Sequence, residues 1–395
     1  MLELLFLLLP IAVAYGWYMG HRSAKKDQED ISNKISRDYV TGVNLLLSNQ
    51  QEKAVDLFLA MLQKQQSENE IDTGSRFEAE LTLGNLFRSR GEVDRALRIH
   101  QALDRSPDYS FEQKLLAKQQ LAKDFLTVGF YDRAENLYIL LVDEPDFAEG
   151  ALQQLARIYQ KTKEWEKAIN VAEKLAIIAP KQNNIELAHY YCEYAFSLFE
   201  SAPEQAEKLL LEALNVSNSC ARASILLAKL AINQRDYQSA VQYFEKILSQ
   251  NSAYIGEVLE ELKSCYQQLQ QIDNFELFLI RASQQCANSD VILALTDLIE
   301  AKDGKSAAQA KLYQQLSRLP SMNLFYRFIQ YQIDEAEAGS GKESLILLHN
   351  MVNERIRQNF AYHCTNCGYR SHKLMWYCPS CRQWETIKPV QTIEN

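Results

Sequence analysis

A spacing of twelve residues between small side chains recurs along this chain and restricts its possible folds more than any other feature. Gly84 and Ala96 form one such pair, and Ala228 and Ala240 form another. In several copies an aromatic residue follows four positions after the second small residue, as Phe244 does. Small residues at this distance fall on two successive helices and let their backbones approach closely. The chain is therefore predicted to consist of stacked helical pairs.

The pairs repeat with a period of about 34 residues, which is the length of a two-helix tetratricopeptide unit. Such units stack into a solenoid in which each unit contacts its neighbours. Clear copies begin near Ile35, Phe77, Leu115, Glu149, Leu187 and Ala221. Weaker copies are predicted over residues 256–289 and 290–320, with a last helical pair over 321–357. The sequence thus predicts an all-α solenoid of about nine units over residues 35–357.

Four cysteines near the end of the chain form two C-x-x-C pairs with ten residues between them. They are Cys364, Cys367, Cys378 and Cys381. Two such pairs can hold one metal ion in a tetrahedron of thiolates, each pair being wrapped in a tight turn. Gly368 can adopt the positive φ that the first turn needs. Residues 358–395 are therefore predicted to form a small metal-binding domain, with two disulfides or four free thiols as the alternative.

The N-terminal residues predict a membrane anchor. No charged residue occurs in the 17 residues from Leu4 to Gly20, which is near the lower length limit for a helix that crosses a bilayer. Basic residues follow this stretch, so the positive-inside rule places the rest of the chain in the cytoplasm. We predict a transmembrane anchor at residues 1–20 and a basic juxtamembrane segment at 21–34, with a cleaved signal peptide as the alternative. A reducing cytoplasm favours metal over disulfides at the four cysteines.

Composition and motifs argue against an enzyme and against a dedicated nucleic-acid binder. The formal net charge of −9 opposes association with phosphate backbones. The sequence contains no H-E-x-x-H pair, no G-x-S-x-G turn and no G-x-x-x-x-G-K-[ST] loop. The other four cysteines are predicted to be buried small side chains of helices. They are Cys192, Cys220, Cys265 and Cys286. These observations predict a scaffold without catalytic groups of its own.

Four segments spread along the whole chain resemble the lipopolysaccharide assembly protein B (LapB) family of Gram-negative bacteria. They read MLELLFLLLPIAVAYGWYMGHRSA, ISRDYVTGVNLLLSNQQEKAVDLF, LTLGNLFRSRGEVDRA and CPSCRQWETIKP. The resemblance implies a single-pass inner-membrane protein with cytoplasmic tetratricopeptide units and a rubredoxin-like C-terminal domain. It also implies an adaptor that helps the membrane protease FtsH degrade the lipid A deacetylase LpxC and that gathers lipopolysaccharide synthesis and export proteins.

The resemblance further implies which metal is bound. The family's four metal ligands fall on the four cysteines of the C-x-x-C pairs, and the sequences C-T-N-C-G-Y and C-P-S-C resemble the knuckles of rubredoxin, which carries iron. Iron is therefore expected, with zinc as the close alternative because sulfur tetrahedra accept either ion. The short spacer between the pairs departs from free-standing rubredoxins, and Arg382 stands where they usually have glycine. Both departures weigh against electron transfer.

Two other functions stay open at this point: a rubredoxin-type redox protein, and a membrane-tethered assembly scaffold without a link to a protease. The sequence also leaves open whether the chain forms homo-oligomers. The metal-binding domain is too small to bury much surface alone. Some of its aromatic residues are therefore expected to wrap the metal core, and others to pack on the last helices of the solenoid. These residues are Tyr362, Tyr369, Trp376, Tyr377 and Trp384.

Overall fold

The computed structural model describes residues 17, 39–48, 50–67, 73–180 and 184–390. The anchor and the basic segment predicted for residues 1–20 and 21–34 lie outside this part of the chain, apart from Trp17, which is helical and exposed. None of the helices that the structure describes combines the length and the hydropathy of a bilayer span.

Helices make up nearly all of the described chain as far as Gln358. They are α1 (described over 39–47), α2 (Gln51–Ser67), α3 (Thr73–Ser89), α4 (Val93–Arg105), α5 (Phe111–Thr127), α6 (Tyr131–Val142), α7 (Pro145–Thr162), α8 (Trp165–Ile178), α9 (Ile185–Ser197), α10 (Pro203–Val216), α11 (Ala221–Asn233), α12 (Tyr237–Asn251), α13 (Leu259–Gln268), α14 (Ile272–Gln285), α15 (Ser289–Asp303), α16 (Lys305–Leu316), α17 (Met322–Glu335) and α18 (Ser340–Gln358). A 3-10 helix, Ser252–Val258, precedes α13. The prediction of a mostly helical solenoid is confirmed.

The chain divides into two compact units, residues 1–158 and 159–395, and the division falls inside α7. In the first unit α3 packs on α4, α4 on α5 and α5 on α6. In the second unit each helix from α8 to α18 packs on the next one. There, α9 also contacts α11, and α15 also contacts α17. This succession within each unit is the stacking expected of tetratricopeptide repeats.

Close crossing of paired helices explains the small residues of the repeat pattern. In the first unit, a Cβ atom added at Gly84 in α3 would lie 2.3 Å from Nε2 of His100 in α4. Ala96 in α4 is fully buried, and so are Ala228 and Ala240 in the second unit. Larger side chains at such positions would force the helices apart. The repeat pattern therefore marks backbone contact in the core rather than a binding surface.

The C-terminal domain adds a small sheet to this helical framework. Its strands are β1 (Tyr362–Cys364), β2 (Arg370–Ser371) and β3 (Ile387–Pro389). β1 lies in the middle and pairs antiparallel with both neighbours, with Cys364 opposite Ile387. The all-α prediction thus does not extend to this domain, because short strands hold its two cysteine turns in place. Leu374 and Trp376 of the domain pack against the hydrophobic core of the second unit.

Candidate metal centre

Each C-x-x-C pair forms a tight turn of the same shape. In the first turn Gly368 has a φ of 74°, and its N–H donates to the carbonyl oxygen of Cys364 at 2.9 Å. In the second turn Arg382 has a φ of 59°, and its N–H donates to the carbonyl oxygen of Cys378, also at 2.9 Å. A non-glycine residue in this left-handed region costs about 1 kcal/mol. Arg382 therefore reproduces the rubredoxin-like turn without glycine, at a small cost in backbone energy.

The two turns bring four sulfur atoms together. The Sγ atoms of Cys364, Cys367, Cys378 and Cys381 all lie within 4.8 Å of one another. The Cys364–Cys381 and Cys367–Cys378 sulfur pairs are each 3.7 Å apart. A metal bound to four sulfurs at ~2.3 Å requires sulfur–sulfur separations of about 3.8 Å, whereas a disulfide requires ~2.05 Å. The donor set therefore fits one tetrahedral metal ion, and the structure holds all four residues as free cysteines.

Hydrogen bonds to sulfur favour the metal-binding form of two of these residues. Burial raises the pKa of the Cys364 thiol, but the Thr386 hydroxyl and the backbone N–H groups of the first turn outweigh it and lower that pKa to about 6. The side chain of Asn366 lowers the pKa of Cys381. Burial raises the pKa of the Cys378 thiol instead. Since the thiolate is the form that binds metal, the contacts at Cys364 and Cys381 favour ligation over protonation.

Two tryptophans pack the metal-binding domain against helices of the second unit. The Trp384 ring stacks on the ring of His189 in α9, with centroids 4.8 Å apart and planes 12° apart. The Trp376 ring lies 4.8 Å from the ring of Tyr254 in the 3-10 helix. The guanidinium of Arg222 in α11 lies 5.8 Å from the Trp376 centroid. Both tryptophans flank the second cysteine turn in sequence, so the shape of this turn determines where both rings lie.

Hydrogen bonds from two tyrosines also hold the metal-binding domain against the 3-10 helix. The hydroxyl of Tyr254, which is fully buried, donates to the carbonyl oxygen of Ile387 in β3 at 3.0 Å. The hydroxyl of Tyr362 in β1 donates to the carboxylate of Glu257, with its two oxygens at 2.9 and 3.0 Å. Strands β1 and β3 are thereby bonded to the 3-10 helix of the second unit.

His189 is a fully buried titratable residue at the centre of the contact. Burial lowers the pKa of its imidazole, and Arg222 acts in the same direction. Glu385 opposes this effect, but its Oε2 lies 3.6 Å from the His189 Nε2, which is too far for a hydrogen bond. The imidazole is therefore neutral at pH 7, and it contributes to the contact mainly through stacking.

The position of the domain corrects one expectation. Trp376 and Trp384 contact α9, α11 and the 3-10 helix, which precede the last helices of the solenoid in the described chain. The physical reason is the distribution of buried surface. Tyr254 and His189 are fully buried and present aromatic faces to the two tryptophan rings, whereas several large apolar side chains of α18 stay exposed. The contact of Tyr254 and His189 with the tryptophans could not be predicted from the sequence, because both residues occupy ordinary positions of predicted helices.

A closed four-sulfur site has a restricted chemistry. Four protein ligands complete the metal's tetrahedral shell and leave no open position for a substrate. Such a site holds a fold together or exchanges electrons, and iron and zinc both accept these donors. For a domain of this size the energy of metal binding is largely its folding energy.

The remaining cysteines lie in the interior, as predicted. Cys192, Cys220 and Cys265 are buried and Cys286 is half-buried. The Sγ atoms of Cys192 and Cys220 are 3.9 Å apart, and burial raises the pKa of the Cys192 thiol well above its ordinary value. A buried, protonated thiol is a poor nucleophile. These four residues act as packing groups.

Fold and site together define a tetratricopeptide-repeat protein with a rubredoxin-like metal-binding domain. A family model described as the rubredoxin metal binding domain matches residues 362–389, and two tetratricopeptide repeat models match residues 151–186 and 201–255. The prediction of a four-cysteine metal site in a rubredoxin-like domain is thus confirmed.

Comparison over the full length identifies the family. Lipopolysaccharide assembly protein B of Haemophilus influenzae is 71% identical over 395 residues, and that of Escherichia coli strain K12 is 49% identical over 396 residues. Both matches cover 100% of each chain. The chain therefore belongs to the lipopolysaccharide assembly protein B family. A solved tetratricopeptide repeat protein from Parabacteroides merdae is 14% identical, with a TM-score of 0.35 over 66% of this chain and 96% of that one.

Proposed function

We propose that the protein is a membrane-anchored adaptor that restrains lipopolysaccharide synthesis. In this proposal it holds the deacetylase LpxC close to the protease FtsH at the cytoplasmic face of the inner membrane. It also gathers lipopolysaccharide synthesis and export proteins there. The observation that carries the proposal is the full-length similarity to lipopolysaccharide assembly protein B of two organisms, with repeats and metal-binding domain both in place. The protein would catalyse no reaction itself.

The physical basis of such an adaptor is effective concentration. Once a substrate is bound to a tethered scaffold, its encounter with a neighbouring protease becomes intramolecular, and effective concentrations reach about the millimolar range. Stacked repeats suit this task because they present an extended surface to several partners. An anchor at residues 1–20 would confine the scaffold to the membrane that holds the protease.

In this proposal the metal is iron and its role is structural. The four cysteines would hold the ion, and the ion would fix the conformation of the second cysteine turn. That turn then positions Trp376 and Trp384 against helices of the second unit. The partner surface would then combine helices of the second unit with the metal-binding domain. Zinc in the same tetrahedron would serve equally well, because the role requires four metal–sulfur bonds and no redox change.

The test measures the lifetime of LpxC together with protein contacts in one set of strains. A strain that lacks this protein is complemented at native level with the full chain or with a chain that lacks residues 1–20. The half-life of LpxC is followed after translation is blocked, and proteins crosslinked in intact membranes are identified by mass spectrometry. We expect the full chain to shorten the half-life and to crosslink to both FtsH and LpxC, whereas the shortened chain is folded but inactive. A half-life that is equal with and without the full chain would refute the proteolytic role.

The same strains separate the other functions. Crosslinks to lipopolysaccharide synthesis or export proteins, with an unchanged LpxC half-life, would favour a tethered scaffold without a protease link. A reversible iron potential coupled to a reductase would favour a redox protein. The proposed orientation is tested by a reporter fused after residue 395, since activity restricted to the periplasm would contradict a cytoplasmic body.

A further inference from the structure

Within the second unit, a cavity lies where the helices meet the metal-binding domain, and the adaptor function does not require it. Its volume is about 540 Å³. The walls come from the starts of α15 and α17, the end of α18 with the linker after it, and the strands of the metal-binding domain. All of these elements belong to the second unit. The charges on the walls indicate what the cavity can bind.

The N-terminus of α17 opens into this cavity without a cap. At the start of α15, the Oδ1 atom of Asn288 accepts hydrogen bonds from the N–H groups of Asp290 and Val291 at 2.9 and 3.2 Å. At the start of α17 the capping position is Ser321, which makes no capping hydrogen bond within the described chain. Ser321 is only 5% exposed and lines the cavity. Since the first N–H groups of a helix have no partner within the helix, these groups and the Ser321 hydroxyl, which caps none of them, are available to a ligand.

Two arginine side chains line the same cavity as this helix terminus. Arg355 from the end of α18 and Arg370 from β2 both line the cavity. Both guanidinium groups are on exposed residues and carry a full charge. Guanidinium groups next to free N–H groups at the positive end of a helix form the usual binding site for a phosphate or a carboxylate. This part of the cavity therefore suits an anionic group.

Two carboxylates line the same cavity. Glu257 already accepts the hydroxyl of Tyr362, and Asp290 forms no ion pair with any residue that the structure describes. Burial raises the pKa of both carboxyl groups. A Cβ atom added at Gly256 would lie 2.5 Å from Oδ2 of Asp290, so the absence of a side chain there makes room for this carboxylate. Partly buried carboxylates without a cation are unfavourable, and a ligand ammonium group would stabilise them.

We propose that this cavity binds a small, soluble zwitterionic molecule. Its phosphate or carboxylate group would lie at Ser321 and Arg355, and its ammonium group at Asp290 and Glu257. An anion alone would face the two carboxylates, and a cation alone would face the guanidinium of Arg355. A molecule with both charges satisfies both walls. The bound molecule would touch α15, α17 and the metal-binding domain at once, so its binding and the docking of that domain would stabilise each other.

The probe that tests this proposal is O-phosphoethanolamine, which carries one phosphate and one ammonium group. Isothermal titration calorimetry uses the full-length, metal-loaded protein in a nonionic detergent, with inorganic phosphate and ethanolamine as single-charge controls. We expect saturable one-to-one binding of the probe, with a Kd at least about tenfold below that of either control. If phosphate or ethanolamine alone bound as tightly as the probe, the proposal of a zwitterionic site would be overturned. Probe binding that does not saturate up to about 10 mM would overturn it as well. Displacement of the probe by phosphatidylethanolamine vesicles, but not by phosphatidylcholine vesicles, would overturn the assignment to a soluble molecule.

Matched variants locate the binding. Arg355→Gln should weaken phosphate binding and leave ethanolamine binding unchanged, whereas Asp290→Asn should do the reverse. Each should weaken binding of the zwitterionic probe by about tenfold. Arg357→Gln is the control, because Arg357 lies on the same helix and is exposed but does not line the cavity. Equal losses from Arg355→Gln and Arg357→Gln would show a general effect of surface charge and overturn the proposal. These measurements do not involve LpxC, so their failure is distinct from a failure of the adaptor function.

Discussion

Replacement of Tyr254 by phenylalanine removes a single hydroxyl from the contact between the metal-binding domain and the helices of the second unit. That hydroxyl donates to the carbonyl oxygen of Ile387 at 3.0 Å and lies 3.5 Å from that of Glu385. Tyr254 and Ile387 are both fully buried, so water cannot replace the lost donor. The loss of one such hydrogen bond costs about 1–2 kcal/mol. The ring is retained, so its contact with the Trp376 ring stays in place, and the lost hydrogen bond weakens the docking of the metal-binding domain.

A cost of this size should raise the undocked fraction of the domain by about 5- to 30-fold. The assay is the rate at which a chelator removes the metal, together with amide hydrogen exchange over residues 362–390. We expect both to rise by that factor, while exchange over residues 73–142 stays unchanged. Tyr313→Phe is the matched control, because Tyr313 is exposed and its hydroxyl has no hydrogen bond within the described chain. Unchanged metal release in the Tyr254 variant, or an equal rise in the Tyr313 variant, would refute the reasoning.

Three further predictions concern the metal, the helix crossing and pH. Cys381→Ser should release the metal and loosen residues 362–390 while the repeats stay helical, because ligation contributes on the order of 10 kcal/mol to folding. Metal analysis checks this, with Ser380→Ala as the control that should keep a full equivalent of metal. A full equivalent of metal in the Cys381→Ser variant would contradict the prediction. Gly84→Ala should destabilise the first unit by about 1–3 kcal/mol, because its Cβ would lie 2.3 Å from a ring nitrogen. Urea unfolding measures the loss, and Gly150→Ala, whose Cβ has 4.0 Å of clearance, should show none. Burial lowers the pKa of His189 below its ordinary value of 6.5. Below pH 6.5 the unfolded chain therefore binds a proton that the native chain does not, so stability is complete above that pH and falls as the pH is lowered. Thermal unfolding between about pH 5 and 7.5 should show that the stability of His189→Phe depends less steeply on pH than that of the natural chain. An equal dependence would show that His189 is not its source.

The helical architecture and the metal ligands could be predicted because both depend on short-range spacing. Small residues twelve positions apart, such as Gly84 and Ala96, place themselves on two crossing helices through local geometry alone. The C-x-x-C pairs carry their own turns, and any fold that closes the ten-residue spacer brings the sulfurs together. Arg382 shows that the spacing matters more than the glycine, since it adopts the same left-handed conformation as Gly368.

By itself the sequence determined a repeat solenoid, a four-cysteine metal site and membership of the lipopolysaccharide assembly protein B family. Only the tertiary structure decided where the metal-binding domain docks and which charges line the cavity beside it. Tyr254 and Ile387 are bonded although they are 133 residues apart in sequence, and no local pattern connects them. Such contacts depend on which faces of stacked helices present aromatic or unpaired polar groups. Those faces exist only after the repeats have packed, so periodicity along the chain cannot reveal them.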